Sequence, residues 1–215
     1  WRMCWRKSSR QSQAMQWSTG IMIRRLRERL LAPRAPAGYR PGATLGLLSR
    51  NLGQVQMHLL EPARAVLDNP AQGWRAEVRE CVEAHLLMHV VTCEFQLCMP
   101  ALQEGGVTLE MRHTGAIRRT GLACVYRGGD KARFTQVRDR LLSDAQLTAA
   151  LMPLDFKRLR IDLQGRQWCV RLEHMGGSEV VNRMPAFRRY IALSRDQRTW
   201  LLEALSELQR VLRTL

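Results

Sequence analysis

The chain reads as an α+β protein: antiparallel β-hairpins forming a sheet packed on one side by helices, with a long C-terminal helix. Three observations carry this. Leu159, Ile161 and Leu163 alternate with Arg158, Arg160 and Asp162, and Trp168, Val170 and Leu172 alternate with Gln167, Cys169, Arg171 and Glu173, the period-two pattern of half-buried strands. Gln164-Gly165 lies between the two runs, and glycine there supplies the positive φ of a tight reversal. Leu201, Leu205, Leu208, Leu212 and Leu215 recur at steps of four and three behind Ser194-Arg195-Asp196-Gln197, so a capping box opens a helix with one apolar stripe.

Taken in order, residues 1–21 are polar and basic without periodicity, and are expected to be a disordered extension or translated sequence upstream of a start at Met15 or Met22. Residues 22–215 are expected to form one α+β domain, within which 155–215 is a hairpin, basic loop and helix. Ile23, Leu26 and Leu30 line a short helix surrounded by Arg24, Arg25, Arg27 and Arg29, either docked on the body or serving as a membrane-surface or nucleic-acid arm. Prolines and glycines from Pro33 to Gly42 make a linker. Residues 44–60 suggest a strand-turn-strand around Asn51-Leu52-Gly53, and 61–68 a short helix ended by Asn69-Pro70. Trp74, Val78, Val82, Leu86 and Val90 recur every fourth residue, which predicts a helix to about His89 followed by a buried strand over 90–99. Cys81, His85, His89 and Cys93 share that step, yet one helix cannot converge four ligands on one ion, so no metal is assigned. Val107, Leu109 and Met111, a turn at Thr114-Gly115, and Leu122, Cys124 and Tyr126 make a second hairpin. Phe134 to Leu151 make one long helix or two short ones, stopped by Pro153.

Composition narrows the function. With 46% apolar and 25% charged residues the chain is globular, and its longest apolar run, Leu86 to Val91, is far too short to cross a bilayer. The formal charge of +15 is uneven: residues 1–40 carry ten basic residues and Glu28, a net of +9, leaving +6 for the rest. Six dispersed cysteines (Cys4, Cys81, Cys93, Cys98, Cys124 and Cys169) and the lack of a recognisable leader predict reduced thiols and a cytoplasmic protein.

Arg158, Arg160 and Arg171, facing away from the apolar side of the hairpin, with Arg183, Arg188 and Arg189 in the basic loop, are the candidate anion-binding residues. The ordinary reading of such residues is a solvated face; the sharper one is a surface for nucleic acid or an acidic protein. Glu173, His174 and Ser178 are the alternative, at the mouth of a pocket between sheet and helices in an enzyme or small-molecule binder. Gly128-Gly129-Asp130-Lys131 lacks the spacing of a phosphate loop, and Gly176-Gly177-Ser178 is no nucleophile elbow. The composite expectation is a non-catalytic binding protein, with no cofactor and no catalytic residue assigned.

The tract Leu-Glu-His-Met-Gly-Gly-Ser-Glu-Val-Val-Asn-Arg-Met-Pro-Ala-Phe-Arg-Arg-Tyr-Ile-Ala-Leu from Leu172 to Leu193 resembles the signature of an uncharacterised proteobacterial family, domain of unknown function 3156. So do Ala-Gly-Tyr-Arg-Pro-Gly from Ala37 and Arg-His-Thr-Gly-Ala-Ile-Arg-Arg from Arg112. The similarity is expected to run from Met22 to the C-terminus. It implies a bacterial origin and brings no activity, ligand or cofactor.

Overall fold

The computed structural model describes residues 36–53, 55–115 and 118–215. The expected extension over 1–21 and the helix around Ile23, Leu26 and Leu30 lie outside them. Gly38–Leu215 form one compact unit.

The described elements run α1 (Ala43–Leu52), β1 (Gln56–Glu61), β2 (Arg64–Asn69), β3 (Trp74–Ala84), β4 (Met88–Thr114), β5 (Gly121–Gly129), α2 (Lys131–Ser143), α3 (Ala145–Leu151), β6 (Phe156–Arg183), β7 (Ala186–Ile191) and α4 (Arg195–Leu212). The strands form one seven-stranded sheet in the order β1-β2-β3-β4-β6-β7, with β5 also paired to β4. Every pairing is antiparallel.

The reversal at Gln164-Gly165 occurs inside β6. Gly165 has φ 59°, and the Met175 amide donates to the Asp155 carbonyl at 2.9 Å. Lys157 and Arg158 reach Glu173, and Arg171 reaches Asp162. A straight strand would hold residues 158 and 173 about 50 Å apart, so the two arms of β6 lie side by side. β4 wraps this hairpin. Its residues 88–100 pair with 167–182 and its residues 105–111 with 159–165, while 101–104 carry the strand around the tip.

Three local expectations fail. The strand-turn-strand over 44–60 is instead α1 followed by β1; Leu45, Leu48 and Leu52 are buried at helical spacing, and Gly53, at φ 69°, ends the helix. The helix over 61–68 is the turn into β2, whose Ala65 and Leu67 alternate inward. The helix over 74–89 is β3, the turn at 85–87 and the first residues of β4. A four-residue step fits a strand as well as a helix, because four is twice the strand period, and the buried Ala76 between Trp74 and Val78 decides the matter. The buried strand expected over 90–99 is present in β4, the second hairpin is β4 with β5 in the register Met111↔Cys124, and the 134–151 segment is two helices.

One apolar cluster unites the sheet and the helices. It joins Leu45 and Leu48 of α1, Phe95 and Leu97 of β4, Leu109, Ile161 and Trp168, and Leu201, Leu205 and Leu208 of α4. The capping box is half made: Ser194 Oγ accepts from the Gln197 amide at 3.1 Å, but the Gln197 side chain turns to His174, Asp155 and Pro153 instead of back to the cap. The expectation of reduced thiols also needs correction. Cys98 and Cys169, directly opposed across β4 and β6, form a disulfide, while Cys81, Cys93 and Cys124 are free. Adjacent strands bring these two thiols together, which spacing in the sequence does not reveal. The cytoplasmic expectation rested in part on free thiols and loses that part of its support.

Candidate anion-binding face

Strand alternation sorts the polar residues. On β4 the odd-numbered Cys93, Phe95, Leu97 and Met99 enter the apolar cluster. The even-numbered Thr92, Glu94, Gln96 and Cys98 therefore point to the other face, opposite Glu173, Arg171 and Cys169 of β6. This second face carries carboxylates sealed beneath guanidinium groups. Asp162, 2% exposed, accepts from Thr108 Oγ1 at 2.7 Å and from Arg160 Nε at 3.1 Å, and also pairs with Arg171. Burial alone would raise its carboxyl, but those three donors outweigh it and hold the group below the usual carboxylate range. Glu173, equally buried, accepts from Thr92, from Lys157 at 3.2 Å, and has Arg158 at 3.9 Å. Glu94 is held by Arg79 at 2.6 Å. A cleft of about 280 Å³ opens here, lined by Gln96, Asp162, Gln164, Gln167, Cys169 and Arg171.

The six arginines singled out from the sequence do not share one face. Arg158, Arg160 and Arg171 are together above Asp162 and Glu173, with carboxylates interleaved between them, not facing one another as like charges. Arg188 lies on the α1 side of β7, bound to Glu179 at 3.0 Å, where Thr44 of α1 also donates to Glu179 and the Tyr190 hydroxyl donates to Asn51 of α1. Arg183 and Arg189 are exposed at the β6–β7 end and make no ion pair among the described residues.

Glu173, His174 and Ser178 do not converge. Glu173 is on the second face. His174, on the opposite side, receives the Gly176 amide at Nδ1 at 2.8 Å, so Nε2 carries the proton and donates to Gln197 Oε1 at 3.0 Å. Ser178 Oγ donates to the Met175 carbonyl at 2.6 Å. The space expected for a pocket is filled: Leu48 and Leu193 press on Gly176-Gly177, and a Cβ at Gly177 (φ 75°) would stand 2.8 Å from Leu48 Cδ1. Among the described residues, no group of three or more His, Cys, Asp or Glu stands close enough to hold a metal ion.

Sequence reading missed a carboxylate that organises the N-terminal end of the fold. Glu80 of β3 accepts from the amides of Gly42 and Leu45, each at 3.0 Å, and from Tyr39 Oη at 2.6 Å, thereby capping α1 from a different element. Only a correct strand assignment for residues 74–84 would have pointed it there. No curated protein matches the chain, and no solved structure does. The family described as protein of unknown function (DUF3156) matches residues 50–212, a span that contains the 172–193 and 112–119 tracts and excludes the one beginning at Ala37. The chain therefore belongs to that family, protein of unknown function (DUF3156).

Proposed function

We propose that this chain is a non-catalytic binding module in which helices cover one face of the sheet, while the other face and the β6–β7 turn receive an anionic partner, nucleic acid or an acidic protein surface. The observation that carries the reading is the disposition of guanidinium groups. Arg158 and Arg160 stay about half exposed over carboxylates that are themselves sealed from water. A guanidinium has five donors, and a carboxylate beneath it leaves some of them directed outward. The paired arginines supply directional donors but little net charge. The uncompensated charge lies with Arg183 and Arg189, and the overall +15 adds long-range attraction.

Salt-dependent retention on nucleic acid tests this. Affinity is expected to fall steeply with salt, and Arg183→Ala/Arg189→Ala is expected to lower the slope of log affinity against log salt by about 2. Arg160→Ala/Arg171→Ala is expected to change the slope less, because Asp162 already neutralises that pair. Retention that neither pair of substitutions alters would remove these arginines from the binding surface.

A further inference from the structure

Two turns meet at one end of the sheet and expose apolar side chains side by side. The β3–β4 turn presents Leu86 and Leu87, 90% and 52% exposed, while the β6–β7 turn presents Met184 and the start of β7 Phe187, 74% and 48% exposed. Their adjacency is fixed by the backbone: the Arg183 amide donates to the Leu87 carbonyl at 2.8 Å, Met88 pairs with Asn182, and Asn182 pairs with Phe187. A residue as exposed as Leu86 contributes nothing to the core, and four such side chains at one site form a patch that single surface leucines do not.

Charge identifies what fits it. From His85 to Met88 and from Asn182 to Ile191 there is no carboxylate, while Arg183 and Arg189 are exposed within the second stretch. A second copy of the chain would bring the same positive end and be repelled. A nucleic acid would satisfy the arginines but offers no apolar medium for leucine and methionine. The patch also consists of turn tips, not a groove, so it suits insertion into a soft surface better than reception of a partner's side chain.

We infer that this end of the sheet docks on the surface of a bilayer containing anionic lipids, with Leu86, Leu87, Met184 and Phe187 entering the headgroup–acyl boundary while Arg183 and Arg189 meet lipid phosphates. No described helix is long and apolar enough to span a membrane, and surface docking needs none. The attachment is peripheral and reversible. It shares two arginines with the binding-module reading, so the test acts on the apolar residues, which that reading does not use.

The full 215-residue chain is mixed with vesicles of phosphatidylcholine alone or with phosphatidylglycerol added, and bound protein is measured by flotation. Binding is expected on the anionic vesicles only. Leu86→Ser/Met184→Ser is expected to weaken it by at least about tenfold, since each buried methylene contributes about 0.8 kcal/mol. Melting temperature and retention on nucleic acid should stay unchanged in that variant, because both side chains are outside the core. Absence of wild-type binding to anionic vesicles, equal binding to neutral ones, or an undiminished double variant each overturns the inference. A wild-type chain that is retained on nucleic acid but does not bind anionic vesicles sinks this inference alone, whereas one that binds the vesicles but is not retained on nucleic acid sinks the nucleic-acid reading alone.

Discussion

Glu80 illustrates how one side chain can join two elements. α1 begins at Gly42, which has no side chain to cap it, and the first-turn amides find the Glu80 carboxylate of β3 instead. The carboxylate sits where the helix dipole favours negative charge and also holds the Tyr39 hydroxyl. Removing it leaves partly buried donors without a partner, so Glu80→Ala is expected to destabilise the fold by about 1–3 kcal/mol. Chemical denaturation measures this, and Glu80→Gln, which keeps an acceptor, should recover part of the loss. An alanine variant as stable as the wild type would show that water replaces the carboxylate at no cost.

At the scale of elements, β4 and β6 govern the sheet because each crosses it twice. The disulfide ties them at Cys98 and Cys169, 71 residues apart in the chain. Closing a loop of that length in the unfolded chain stabilises the native state by about 4 kcal/mol. Denatured, unreduced protein is therefore expected to titrate two fewer thiols than reduced protein, and a thiol reductant should lower the melting temperature. Equal thiol counts would refute the crosslink. Legibility at this scale followed the reach of the interactions. The β6 reversal was readable because Gly165 and two clean alternations are local, and α4 because its stripe and cap are local. β3 was not, since a step of four satisfies two periodicities, and α1 was not, since its cap comes from Glu80, 38 residues beyond Gly42. Arg158, Arg160 and Arg171 lie partly exposed on the face away from the apolar cluster. Arg160 meets Asp162 two residues along the same arm, but the neutralisation of Arg171 by Asp162 and of Arg158 by Glu173 depends on strand pairing across nine and fifteen positions.

For the whole molecule, acid should be destabilising well before the carboxylates titrate. His89, His113 and His174 are all pushed below the ordinary histidine range, chiefly by burial. Neighbouring Arg183 and Arg188 add to the effect at His89. At His174 burial outweighs the Gly176 carbonyl, 3.0 Å from Nδ1, and the Gln197 side chain, both of which favour the charged ring. The unfolded chain therefore binds protons near pH 6.5 that the folded chain refuses. Stability is fully present above about pH 6.5 and falls as pH drops from there toward the depressed folded values. The urea midpoint is expected to decline between pH 7.5 and 5, and less steeply in His174→Phe. A midpoint that stays level over that interval would contradict the account.

The wrapping of β4 around the β6 hairpin also sets an order on assembly during synthesis. Residues 88–100 and 105–114 leave the ribosome first, yet the segment that bonds to both of them is made later. Until it arrives, each half of β4 keeps one bare row of backbone donors and acceptors, able to capture a strand from another nascent chain. A truncation that stops before Phe156 makes that interval permanent, and such a fragment should precipitate rather than persist as a smaller folded protein.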